Sequence, residues 1–325
     1  MRTVGRTLIS QNPDLKPFAN MLVSNIAKLD LNGQRFFTQK TISGVVHEMY
    51  EEYGLGYGRA LPDGADPSDD DWHAGYKKTV KVSTWHNGVT FTKRSLTTDS
   101  TQIASAQRKL QASFRATKEQ QYAVFNYYAL QGRTVPANGG LALCDPTGID
   151  GLSYFNGTHT YLGYSQTYSN IPTVNTSWGL AGLQLTVGIK RGQMDYNGEK
   201  FGADEPFLSW IVGDGLITKA GVTLQTETDP ETANRANNAM RYGNVAGGPA
   251  QKYETWGKLQ DNEFLARFRV PADNPGWCEV VLKNENPASF DFTSESGQRR
   301  MIGWMYTNVL TGRNPREYIT CFAAV

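Results

Sequence analysis

Four histidines, three cysteines and a run of clustered acids are the residues of this 325-residue chain best suited to bond chemistry or metal binding. Asp150, Ser153 and His159 lie close together and have the acid, nucleophile and base of a hydrolytic triad. A triad needs a rigid scaffold that converges its members, usually from separate elements. These three share one turn-rich stretch, Asp145-Pro-Thr-Gly-Ile-Asp-Gly-Leu-Ser-Tyr-Phe155, so turn formation is the preferred reading and hydrolysis the minor one. Asp63, Asp66, Asp69, Asp70 and Asp71 suggest calcium by type, but they miss the EF-hand spacing and its closing Glu. His47, His73 and His86 belong to no HExxH, and there is no GxSxG, Walker A or GxGxxG; Gly54-Leu-Gly-Tyr-Gly58 has the wrong spacing. Cys144, Cys278 and Cys321 stand far apart without a CxxC, which argues against a zinc site or disulfide framework and leaves them as small buried hydrophobes. No enzyme, cofactor or metal is expected.

Charge says more. The total is +1, from 32 Lys+Arg and 31 Asp+Glu, but residues 1–46 carry +4, 47–71 carry −7, 72–133 carry +8 and 134–325 carry −4. Near-neutrality argues against a dedicated nucleic-acid reader. The reversal from −7 to +8 reads either as two solvated surfaces of one domain or as opposite patches that meet on neighbouring copies. No apolar run reaches membrane-span length, and the first ten residues lack the apolar centre of a secretory signal, so folding in a reducing cytoplasm is expected.

The elements that must position these residues follow from periodicity. Pro17 with Phe18, Leu22, Ile26 and Leu29 predicts an amphipathic helix over 16–29. Residues 53–71 are dense in Gly, Pro and Asp and predict an exposed excursion. Tyr76–Trp85 and Val89–Arg94 form a long basic β-ribbon, with Asn87-Gly88 as either a hairpin turn or a bend in one strand. A helix near 99–131, roughly 50 Å long, follows; its apolar face is interrupted over Thr117–Gln121. Later elements are a helix over Ser177–Asp195, a buried strand Phe207–Val212, a helix from Asp214, a loop over 227–251, and strands over Glu263–Val270, Trp277–Lys283, Met301–Val309 and Arg316–Ala323. The class is α+β.

Two stretches in this order carry a resemblance. The first runs from Gly75-Tyr-Lys-Lys-Thr-Val-Lys-Val-Ser-Thr-Trp85 through Leu96 into the helix ending Ala123-Val-Phe-Asn126; the second is Asp150-Gly-Leu-Ser-Tyr-Phe155 with His159, then Ser169-Asn170 and the helix from Ser177. The chain resembles major capsid proteins of tailed bacteriophages, with the Hong Kong ninety-seven-type fold, and is most similar to Mu-like prophage major head subunits. The resemblance implies an N-terminal arm (1–46), an extended loop (47–97), a peripheral domain (98–175 and 285–325) with a spine helix near 99–131, and an axial domain (176–284).

It further implies a virion shell of pentamers and hexamers around double-stranded DNA, assembled in the bacterial cytoplasm with no membrane. Expected partners are further copies of the chain, a portal protein and possible decoration proteins. Because only 46 residues precede the loop, a separate scaffolding protein is expected. Asp69, Asp70 and Asp71 and the basic Lys77, Lys78 and Lys81 are expected at inter-subunit contacts, and Arg2, Arg6 and Lys16 of the arm facing DNA. A cellular encapsulin-like nanocompartment shell is the nearest alternative; a hydrolase and a glycan-binding surface protein are the others.

Overall fold

The computed structural model describes residues 16–29, 31–53, 73–92, 100–129, 137–138, 141–142, 144–172, 177–200, 205–225, 252–259, 263–270, 273–283, 287–293 and 299–321. In chain order the helices are α1 (Lys16–Ala27), α2 (Ser100–Ala129), α3 (Leu180–Gly192) and α4 (Ile217–Gln225). The strands are β1 (Thr38–Ile42), β2 (Val46–Tyr53), β3 (His73–Lys81), β4 (Ser83–Thr92), β5 (Ala137–Asn138), β6 (Leu141–Ala142), β7 (His159–Thr160), β8 (Thr167–Tyr168), β9 (Phe207–Val212), β10 (Tyr253–Thr255), β11 (Phe264–Phe268), β12 (Trp277–Leu282), β13 (Ala288–Thr293), β14 (Arg299–Gly312) and β15 (Tyr318–Cys321).

The 14-residue β14 organises the larger sheet. One half pairs antiparallel with β12, the other with β13, and β4 runs antiparallel along it from Thr92↔Arg299 to Ser83↔Asn308. β1 completes the sheet in parallel with β12, Thr38 opposite Cys278. Asn87-Gly88 lies inside β4 and makes no hairpin. Gly88 faces Gly303, where a Cβ would sit 2.0 Å from the Asn87 carbonyl oxygen. The glycines thus mark close backbone approach within a sheet, which a turn signal in sequence resembles. Two-stranded pairing belongs instead to β2 and β3.

α2, about 45 Å long at 1.5 Å per residue, packs across this sheet. Its Phe114 meets Trp304 and Tyr306 edge-on at 5.1 and 5.3 Å, and Leu110 and Phe125 are buried in the same core. Leu22 and Ile26 dock α1 onto it.

The second sheet has the order β10-β9-β11-β15. Alternate residues go to opposite faces of a strand, and here both faces are covered. Trp210, Val212, Phe264, Ala266 and Ile319 meet the apolar sides of α3 and α4, while Ile211, Leu265 and Tyr318 join the main core. That two-sided burial explains the uninterrupted apolar run of β9. Trp277 stacks on Tyr318 at 4.0 Å and joins the two sheets.

Four strands take their places in the sheets beside partners distant in sequence. β1, placed in the arm, and β4, placed in the extended loop, are strands of the larger sheet. β12, placed in the axial segment, lies between β1 and β14, and β15, placed in the peripheral segment, pairs with β11. β1 and β12 are 240 positions apart, and no local pattern encodes their register.

Candidate functional site

The β2–β3 ribbon is a two-stranded antiparallel sheet separate from the two larger ones. Its residues alternate between faces, with Met49 opposite Lys78, Tyr50 opposite Lys77, and Val46 opposite Lys81. Met49 and Val80 are buried with Ile42, Val82, Ile149, Cys278, Val280 and Val309, so the base of the ribbon lies on the larger sheet. A register shift between Tyr50 and Glu52 marks a bulge in β2. Asp69, Asp70 and Asp71 lie outside the described residues, as do Arg2 and Arg6; Lys16 opens α1, and its side chain is likewise outside them.

The outer face carries both charge and apolar surface. Lys77 pairs with Glu48 at 2.8 Å, and the Tyr50 hydroxyl donates to the other oxygen of that carboxylate. Hydrogen bonding from Lys77 lowers the Glu48 pKa, and the same bond raises that of Lys77. Both side chains are open to solvent, where such a pair contributes little to stability. Lys81 is exposed opposite Val46, and Val45, Val46 and Tyr50 stand 56%, 48% and 48% exposed. Apolar groups held open on a charged ribbon suit a surface that another molecule covers.

Lys78 departs from the sequence expectation. It was grouped with Lys77 and Lys81, yet its side chain is buried inside the subunit. Its ammonium donates to the carbonyls of Thr147 at 2.7 Å and Gly312 at 2.9 Å, and lies 3.1 Å from Asp145. Burial pushes the Lys78 pKa down against the pull of Asp145. The sequence held the signal: Val80 and Val82 point to the core, and Lys78 shares their face by the period of two. Lys78 anchors the ribbon to the turn-rich loop and the end of β14. Nearby, Arg313 donates to the Tyr50 carbonyl at 2.9 Å, and burial with the charges of Lys40 and Arg313 lowers the pKa of His47.

The Asp150, Ser153 and His159 stretch forms part of the same foundation. Gly151 turns it at φ 78°, a conformation that favours glycine, and the Asp150 Oδ1 accepts from the Leu152 amide at 3.2 Å. Asp150 Oδ2 lies 2.7 Å from His159 Nδ1, with both side chains buried. Nε2, which would receive a serine proton in a triad, faces the Tyr154 carbonyl at 3.1 Å and Asn170 Oδ1 at 3.3 Å. The Asn170 amide donates to the carbonyls of Tyr154 at 2.7 Å and Pro315 at 3.0 Å. The acid and base are joined as a fastening between this loop and the segment before β15, with the base turned to carbonyl oxygens. Asn170 was quoted in the resemblance without a role, and it completes this network.

Two further buried networks were not found by sequence reasoning. Lys118 of α2 pairs with Glu279 of β12, whose Oε1 also accepts from the Tyr306 hydroxyl and the Asn308 amide, both at 2.8 Å. Gln121 exchanges amide hydrogen bonds with Asn308. Burial lowers the Lys118 pKa and raises that of Tyr306. The interruption at Thr117–Gln121 is therefore polar core, since Lys118 and Gln121 point inward. In the second network Lys190 of α3 meets Glu205, the Gln193 side chain and the Arg316 carbonyl. Cys144 and Cys278 are buried free thiols whose pKa values burial pushes up to about 12 and about 11; the Cys321 side chain is outside the described residues. Among the described residues there is no group of three or more His, Cys, Asp or Glu suited to a metal, and no helix long and apolar enough to cross a membrane.

No protein-family model and no curated protein matches the sequence. Solved structures do match in shape. A chain of Mycobacterium phage Patience is 11% identical, with 100% of this chain and 95% of that one covered and a TM-score of 0.52. The capsid of an empty GTA particle is 10% identical, with 90% of each chain covered and a TM-score of 0.50. At such identity the likeness is one of fold, and the chain has the Hong Kong ninety-seven-type capsid fold.

Proposed function

We propose that this chain is a shell-forming subunit, the major head protein of a tailed bacteriophage related to Mu-like prophages. The observation that carries the reading is the β2–β3 ribbon: anchored through Met49, Lys78 and Val80, with Val45, Val46, Tyr50 and Lys81 open on a face without a core of its own. The capsid-type fold and the alternating charge of the sequence support it. Copies associate through closed rings of five and six, with complementary charge setting their register. Asp69, Asp70 and Asp71 and the outer lysines Lys77 and Lys81 contact neighbouring copies in this reading; Lys78 does not. The shell encloses double-stranded DNA as a virion and assembles in the host cytoplasm with portal, scaffolding and decoration proteins as partners.

The experiment is sedimentation velocity on the purified protein beside a variant with Asp69, Asp70 and Asp71 changed to Lys. The reading predicts large particles for the first and folded, slowly sedimenting subunits for the second. Equal particle formation by both removes Asp69, Asp70 and Asp71 from the interface. Nuclease-protected DNA inside particles from infected or induced cells separates the phage reading from a nanocompartment, whose contents would be protein.

A further inference from the structure

The buried networks are internal fastenings, but one charged surface has no role in them. α2 buries Ala106, Leu110, Phe114 and Lys118 and leaves Ala104, Arg108, Lys109, Ala112, Arg115 and Ala116 exposed. Small alanines between the bases keep this face low, so three cationic side chains rise from a flat strip. None of the three makes an ion pair among the described residues. Arg115 also borders an open groove of about 530 Å³, where Lys258 adds a cation and Glu119 and Asp214 are the acids.

We propose that this face of α2, through Arg108, Lys109 and Arg115, binds the phosphate backbone of double-stranded DNA without regard to sequence. Arg108 to Arg115 spans two helical turns, about 10.5 Å. One DNA strand presents a charge about every 3.4 Å along its axis, so that length matches about three phosphates. Base readout needs an element seated in a DNA groove, and α2 packs along the larger sheet, so its exposed strip meets the backbone. The strip therefore supplies charge without readout. Its biological occupant, packaged DNA, rests on the shell reading; the binding itself does not.

The test uses unassembled full-length subunits and a fluorescent 30-base-pair duplex of arbitrary sequence. Affinity is measured from about 50 to about 200 mM salt, for the parent and for the combined Arg108→Gln, Lys109→Gln, Arg115→Gln variant. Three lost phosphate contacts lower the slope of log affinity against log salt by about 2.7, so the parent weakens about 40-fold more than the variant over that range. Glu119→Gln, which removes a carboxylate one turn beyond Arg115, strengthens binding. Equal affinities and slopes for parent and triple variant overturn the proposal. So does a triple variant that binds the duplex normally but no longer forms particles, which would make the strip a contact between copies. Particle formation, read separately in the electron microscope, judges the shell reading whatever the duplex does.

Discussion

The Lys78 ammonium lies 3.1 Å from the Asp145 carboxylate and donates to the Thr147 and Gly312 carbonyls, so a ribbon side chain is tied to both the turn-rich loop and the end of β14. Replacing it as Lys78→Met takes a donor from the buried Thr147 carbonyl and leaves Gly312 with the Thr311 hydroxyl. The expected loss is about 1–3 kcal/mol of unfolding free energy, at the lower end because Asp145 remains partly in water. Hydrogen exchange should show faster opening of β2 and β3 with α2 unchanged. Uniform loss of protection would mean that Lys78 supports the whole core.

The ion pair between Lys118 and Glu279 predicts non-additivity. Lys118→Met strands a buried carboxylate and should cost about 3–5 kcal/mol in denaturant unfolding. Adding Glu279→Gln removes the stranded charge and should restore much of that loss, because breaking one side of a buried pair costs more than replacing both. Losses that simply add would contradict the coupling.

Asp150 and His159 predict an outcome opposite to that of a hydrolase. His159→Ala removes a ring that fastens Asp150, Tyr154 and Asn170, and should destabilise by about 2–4 kcal/mol. Ser153→Ala, at a half-buried position, should stay within about 0.5 kcal/mol and leave particle formation intact. Ester or peptide turnover by the parent, lost in the serine variant, would restore the triad.

Alkaline pH should first strengthen the fold and then weaken it. Burial lowers the Lys190 pKa to about 8 from 10.5, so from pH 8 upward the unfolded chain holds the extra proton and stability rises with pH. The Lys190 share of the rise is about 1–3 kcal/mol by the unfolded lysine value and is lost in Lys190→Met, which keeps the shares of Lys78 and Lys118, also lowered by burial. From about pH 9 the buried thiols of Cys144 and Cys278 oppose this rise, and above about pH 10 the buried phenols of Tyr154, Tyr168 and Tyr318, held well above their ordinary pKa, reverse it, because the unfolded chain then loses protons that the folded one keeps. Denaturation midpoints across pH 7–11 for parent and variant check both limbs.

Much of this was legible along the chain. The 3.6-residue period predicted α2 near 99–131, against Ser100–Ala129 observed, and strand composition located β9, β11 and β12 within a few residues. What was hidden depends on partners distant in sequence. Asn87-Gly88 has the composition of a turn, and only its alignment with Gly303 reveals a close-packed sheet position. Lys118 looked like a break in an apolar face because Glu279, 161 residues away, is what makes its burial tolerable. For the site, the period of two already contained the inward turn of Lys78, whereas the grouping of three lysines by charge concealed it.

Gly303→Ala tests that sheet contact directly. A methyl group 2.0 Å from the Asn87 oxygen forces β4 and β14 apart, with an expected cost above about 3 kcal/mol or insoluble protein. Near-parental stability would show that the two strands are more loosely paired.

The most direct measurement is negative-stain electron microscopy of the purified full-length chain under assembly conditions. Closed particles hundreds of ångströms wide, with rings of five and six copies in class averages, are the predicted result. A field of monomers and small open oligomers, from protein shown to be folded by circular dichroism, would contradict the shell-forming account.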